Sequence, residues 1–277
     1  MRKERVGIQL AYPATQSRVA ALGKTFLAQQ KLNGERARVH WIGDDPVFIS
    51  SYGNEFYFLD HLKRELQENK TFNGHLLDGE IYVHGWSRER IDSALRRKTN
   101  KSSDTMNLQY HVFDLAYPKM SNIARADLLH SLDWEPNIAT ICVPTYNCLP
   151  EHWMEFCSIF VSEGYEGVIL RSHAGLYVEK RTANMLKYKP TKKDVYLIVG
   201  VKEGTNRLVG MLGSFLVRGH DGTEFSVGTG PELTDEKRQK YWLIRDTLIG
   251  KKLLVKHEEI VTSGGKPICT VAVEIKE

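Results

Sequence analysis

The sequence predicts an α+β fold in two parts: antiparallel sheets with flanking helices over residues 1–190, then a small β-barrel over 191–277. Three observations point there. Segments of strict apolar alternation stand beside segments of helical spacing through the first part. The polar, proline-bearing run Lys189-Pro190-Thr191-Lys192-Lys193-Asp194 reads as a hinge. Beyond it the pattern changes to short strands separated by glycine-rich turns.

Residues 35–41 alternate, with Ala37, Val39 and Trp41 on one face and Arg36, Arg38 and His40 on the other, so they form a half-buried strand. Val47–Ser51 is its partner after the turn Gly43-Asp44-Asp45-Pro46. Phe56, Leu59, Leu62 and Leu66 fall at helical spacing over 56–69. Strands are expected near 76–83 and 108–115, with a helix capped by Ser87 over 87–98. Ser121–Leu132 reads as another helix. Pro150 opens a third that buries Trp153, Phe156 and Phe160 and closes at Gly164. Strands return at 166–171 and 184–189. Past the hinge come strands at 195–201, 210–218, 224–228, 251–257 and 270–276, and one helix from Thr234 to Gly250. Five strands and a helix suit an oligonucleotide-binding barrel, and from pattern alone an SH3-like barrel fits nearly as well.

A net charge of +4 permits a polyanionic partner without demanding one. The distribution says more. Residues 178–193 carry six Lys or Arg against one acid, and residues 86–107 carry six against three, so the surplus forms a face. The cysteines at 142, 148, 157 and 269 show no metal spacing and read as thiols of a reducing compartment. Neither a signal sequence nor a membrane-spanning run is apparent.

Five short motifs follow one another in order: Lys31-Leu32-Asn33-Gly34, Asp78-Gly79-Glu80, Phe113-Asp114, Glu166-Gly167 and Lys187-Tyr188-Lys189. Together they offer a lysine, carboxylates, an aromatic ring and two further lysines. That set suits nucleotidyl transfer with a lysine nucleophile. Lys31 is the expected nucleophile, with Arg36, Lys187 and Lys189 repelling its positive charge and so lowering its pKa. Gly34 fits a turn where a side chain would crowd the nucleotide. Period two places Glu166 and Val168 on one face, and Lys187 and Lys189 on another single face suited to phosphates.

These motifs resemble those of small ATP-dependent DNA ligases of phage or bacterial type, within the covalent nucleotidyltransferase superfamily. The resemblance is specific over 28–38, 76–83, 109–115, 163–171 and 180–190. It implies a nucleotidyltransferase (adenylation) domain followed by an OB-fold, the latter also marked by Gly200-Val201, Gly210 and Val227-Gly228-Thr229-Gly230. By the resemblance Glu166 and Glu80 hold Mg²⁺ (or Mn²⁺), Phe113 and Val168 pack on adenine, and Gln29 reads the adenine amino group. Arg171, Lys180 and Arg181, with Lys192, Lys193, Arg96 and Arg97 of the basic stretches, are the expected nucleic-acid contacts. The implied reaction has three steps: ATP adenylates Lys31, AMP passes to the 5′-phosphate of a nick in double-stranded DNA, and the 3′-hydroxyl displaces AMP. A cytoplasmic monomer, in a bacterium or a phage-infected host, is expected.

The chain departs from the family at Asn33, where DNA ligases usually carry Asp, and at Ser51, where many carry Arg. Ala272–Lys276 matches the last basic motif poorly. An RNA ligase is the nearest alternative. A capping guanylyltransferase and a non-catalytic nucleic-acid-binding protein on the same core fit less well.

Overall fold

The computed structural model describes residues 5–135, 139–258, 266–267 and 269–276. The chain divides into two compact units, residues 1–188 and 189–277.

Unit one runs β1 (Leu10–Pro13), α1 (Gln16–Ala20), β2 (Phe26–Lys31), β3 (Glu35–Ile42), β4 (Asp45–Ser50), α2 (Asp60–Glu68), β5 (Leu77–Tyr82), α3 (Arg88–Leu95), β6 (Gln109–Leu115), α4 (Asn122–Ser131), β7 (Thr140–Cys142), β8 (Tyr146–Cys148), α5 (Trp153–Ser162), β9 (Gly167–Ser172) and β10 (Arg181–Tyr188). Two five-stranded sheets result. The first has the order β1-β10-β9-β2-β8 and the second β4-β3-β5-β6-β7. Each has one parallel pairing, β1 with β10 and β6 with β7.

Each sheet buries one face. Phe26, Ala28, Val168, Leu170 and Leu186 of the first sheet pack with Cys157 and Phe160 of α5. Ala37, Val39, Phe48, Ile81, Tyr110 and Val112 of the second pack with Leu62 and Leu66 of α2 and Ile91 of α3. The remaining faces are polar and meet each other, because alternation sends every second residue there. Ser87 and Ser121 cap α3 and α4, accepting from Arg90 N at 3.3 Å and Ala124 N at 3.4 Å.

Unit two holds β11 (Thr191–Glu203), β12 (Leu212–Arg218), β13 (Glu224–Val227), α6 (Asp235–Leu243), β14 (Lys252–Glu258) and β15 (Val271–Lys276). The strand order is β13-β12-β11-β14-β15. Ala272 N donates to Thr229 O at 2.7 Å, tying β15 to the chain leaving β13. A five-stranded barrel with its helix between the third and fourth strands is the oligonucleotide-binding arrangement. It resolves the choice that pattern left open.

Two expectations need correcting. The helix expected over 56–69 begins at Asp60, because Phe58 has a φ of 62° and breaks the helical path before it. Phe56 and Leu59 are buried all the same. The run expected as a hinge is strand from Thr191 onward, with Lys192 opposite His257 and Lys193 opposite Lys256. Among the described residues no helix is long and apolar enough to cross a membrane.

Candidate active site

The motifs converge where the two polar faces of unit one meet. Lys31 ends β2, and its side chain is 16% exposed. Its Nζ pairs with the Glu166 carboxylate. Glu166 is held at that position by its own N–H, which donates to Lys31 O at 2.9 Å.

Across the cleft, β3 and β5 place Arg36 directly opposite Glu80. Glu80 accepts from Gly34 N at 3.2 Å. Burial pushes its carboxyl up, while Lys31, Arg88 and Arg36 pull part of the way back. A Cβ on Gly34 would land on the Ile81 carbonyl oxygen and 2.7 Å from Glu80 Cγ. Glycine is therefore needed so that the loop after Lys31 can lie against β5.

Arg36 also departs from expectation. Its Nε donates to Asp78 Oδ1 at 2.8 Å and its Nη1 to Gln9 O at 2.7 Å. Burial disfavours its charge, but the Asp78 carboxylate outweighs that and lifts Arg36 above the ordinary arginine range. Asp78 is fully buried and also accepts from Tyr177 at 2.7 Å. Arg36 is thus tied first to Asp78 within the second sheet. The Phe113 ring lies between Arg36, 5.2 Å away, and Arg171, 5.5 Å away.

Register corrects the apolar side of the cleft. Gln29 is opposite Ile169, and Ile169 is opposite Lys187. Residues paired across a ladder share a face. Gln29, Lys31, Ile169 and Lys187 thus face the cleft, while Val168 lies on the far side, fully buried in the core against α5. Ile169, not Val168, is the aliphatic residue of β9 on the cleft face. The error came from running strict alternation through Gly167, whose φ of 155° lets Glu166 turn to the Lys31 face before β9 begins. Lys189 does not accompany Lys187. It opens unit two and pairs with Glu258 at 3.2 Å.

A model of the ATP-dependent DNA ligase domain matches residues 9–189, and a model of the DNA ligase OB-like domain matches 203–275. The chain belongs to the ATP-dependent DNA ligase family. The DNA ligase of African swine fever virus (a warthog isolate from Namibia) is 28% identical over 271 residues, covering 91% of this chain and 63% of that protein. The chain thus spans less than two thirds of the viral relatives. The DNA ligase of Haemophilus influenzae is 23% identical over 204 residues, covering 72% of this chain and 70% of that one. Among solved structures, a Lig E DNA ligase superposes with a TM-score of 0.79 at 23% identity, covering 98% of this chain and 99% of that one. The bacteriophage T7 ATP-dependent ligase in complex with ATP gives 0.56 at 15% identity, covering 99% of each chain. At these identities the two structures speak for the fold.

Against this ligase frame, the residues expected to touch nucleic acid divide. Lys180, Arg181, Lys192 and Lys193 are exposed. Arg181 donates to Ala11 O. Arg97 is exposed and bonds Ser93 O at 3.2 Å. Arg96 is 60% exposed but pairs with Glu35 at 2.8 Å and Asp92 at 3.3 Å. Arg171 is not on the surface. It is 3% exposed and donates to Asp114 Oδ2 at 2.6 Å and Gln29 Oε1 at 2.9 Å, so it cannot reach a strand of DNA. Its sequence neighbours Leu170 and Ser172 gave no sign of Asp114, which lies 57 residues away in the chain.

Sequence reasoning passed over several residues of the cleft. Arg88 on α3 donates to Gly34 O and Glu35 and so fixes the loop after Lys31. Arg125, fully buried, shares Asp114 with Arg171. Thr145 lies between β7 and β8 and bonds Gln29 at 2.9 Å. None belongs to a motif. The only available signal was charge on an otherwise apolar helix face at Arg125.

Proposed function

We propose that this chain is an ATP-dependent DNA ligase that seals 5′-phosphate/3′-hydroxyl nicks in duplex DNA through an adenylate on Lys31. One observation carries the reading. The Lys31 amine is set in a cleft with the Glu166 carboxylate against it, Glu80 beside it and the Phe113 ring on the facing sheet. An amine so enclosed, beside two carboxylates and an aromatic platform, suits attack on the α-phosphorus of a bound ATP.

In the first step Lys31 Nζ bonds the α-phosphorus, the bond to the β-phosphate oxygen breaks, and pyrophosphate leaves. AMP then passes from Lys31 to the 5′-phosphate of the nick. The 3′-hydroxyl attacks that phosphate and AMP departs. Lys187, on the same face as Lys31, supplies positive charge toward the phosphates. Among the described residues no three metal-binding side chains cluster, and the protein's donors here are Glu166 and Glu80. That suits Mg²⁺, which takes one or two carboxylates and completes its shell with water and substrate phosphates. Bound there, it would neutralise developing charge on the phosphoryl oxygens.

Residues 1–190 would carry adenylation and 191–277 would add grip on DNA through exposed Lys192 and Lys193, the chain acting as a cytoplasmic monomer. Incubation with α-labelled ATP and Mg²⁺, then denaturing electrophoresis, tests the reading. Wild type should carry label and Lys31→Ala none, with the fold unchanged. Label surviving in Lys31→Ala overturns the assignment.

A further inference from the structure

One stretch of the chain is at odds with its basic character. From 126 to 170 there is no Lys or Arg, although the whole sequence carries 38. Seven acids fall in the same stretch, and the cleft uses only Glu166. The stretch includes β8 and α5. β8 is the last strand of the first sheet, with β2 on one side. Among the described residues, the backbone of Tyr146, Asn147 and Cys148 bonds to β2 and to nothing else.

Beside that open edge lies an apolar patch. Tyr146, opposite Ala28, is on the face that α5 covers, with its ring 5.7 Å from Phe156 and 5.9 Å from Phe160. Tyr146, Leu149 and Ile159 are exposed, and Ile159 neighbours Phe156 on the surface of α5. Acids rim the patch. Glu151, Glu155 and Glu163 are all exposed. Burial, with Glu151 and Glu155 close enough to act on it, pushes the Cys148 thiol of β8 up to about 11. Glu155 meets His152 at 3.1 Å, and among the described residues none of the three has a Lys or Arg partner. A rim of this sign repels the phosphates of DNA, so the face suits a different partner.

We propose that β8 and the acid-rimmed patch beside it dock a basic, extended segment of a partner protein, which adds a strand to the first sheet. The open edge supplies main-chain hydrogen bonds, and Tyr146, Phe156 and Ile159 receive the segment's apolar side chains. The carboxylates select for Lys or Arg at its ends and reject an acidic competitor. Three residues of strand offer few main-chain bonds, so the apolar and charged contacts carry the rest of the affinity. Tyr146 faces α5 and Lys31 faces the cleft, so a segment bound on the α5 side leaves the Lys31 face clear.

Fluorescence anisotropy tests this with the full chain and one probe, the labelled peptide Lys-Lys-Val-Thr-Ile-Thr-Val-Lys-Lys. It should bind saturably, and more weakly as salt rises. Glutamates in place of its lysines should abolish binding. Proline in place of its central isoleucine should weaken binding about tenfold, because proline cannot complete a ladder. The triple change Glu151→Gln, Glu155→Gln and Glu163→Gln should weaken it about tenfold, the sum of three surface ion pairs. Ile159→Ser should weaken it about fivefold through lost apolar burial. All four side chains are exposed, so thermal unfolding should not move. Bound peptide should slow hydrogen exchange at Tyr146–Cys148. No binding, equal binding of the proline peptide, unchanged affinity in the triple variant or unslowed exchange at β8 overturns the proposal. So does displacement of the peptide by nicked duplex DNA, which would assign the face to nucleic acid.

Discussion

The two units bury arginine in opposite ways. In unit one Arg125 and Arg171, 0% and 3% exposed, converge on one carboxylate, Asp114. In unit two Arg238, 7% exposed, donates only to backbone carbonyls: Leu233 at 2.9 Å, Leu212 and Gly213 at 2.7 Å, and Gly228 at 2.8 Å. The first is a charge network that ends at Gln29 in the cleft wall. The second is a staple that joins the start of β12, the end of β13 and α6. A buried guanidinium serves a site when a carboxylate shares its charge and aims its remaining donors. Spent on carbonyls, it serves the fold.

Breaking the shared charge should have the largest effect. Asp114→Asn leaves two buried guanidiniums facing a neutral amide, and should cost about 3–5 kcal/mol in guanidinium chloride unfolding. Arg238→Met should cost less, about 2 kcal/mol, because removing a cation that burial disfavours offsets part of the penalty of orphaned carbonyls. Equal losses would erase the contrast between network and staple. The smallest effect sharpens it through pH. Burial, with His84 nearby, pushes His111 down to about 4. The folded imidazole stays neutral where the unfolded one, near 6.5, takes a proton. Stability from this group is therefore full above about pH 6.5 and falls as pH drops toward 4. Between pH 7 and 5.5 unit one should lose about 1 kcal/mol, and His111→Gln should flatten that slope in urea unfolding.

Much of this was legible in the sequence. The motif residues Lys31, Glu80, Phe113, Glu166 and Lys187 sit on or beside short strands whose alternation could be read locally, and they do meet in one cleft. Alternation failed at Val168 because a glycine interrupts it, and one misread residue flips a whole face. Arg171 failed for another reason. A charge that ends the apolar run Val168-Ile169-Leu170 reads as a strand end at the surface, and only the fold brings Asp114 to it. β7 and β8, three residues each, are too short to carry a period. Thr145 sits between them, and its contact with Gln29 depends wholly on what lies across the sheet.

The first sheet also dictates when the cleft can form. β1 pairs with β10, where Arg181 bonds Ala11, 170 residues earlier. β2, which ends in Lys31, pairs only with β8 and β9. The second sheet draws all its strands from residues 35–142 and can close while the chain is still emerging. At about 5–20 residues per second on the ribosome, the strand bearing Lys31 waits several seconds longer for its neighbours. Until then its apolar face is open to other chains, so the sheet that carries Lys31 is also the one most exposed to misassembly during synthesis.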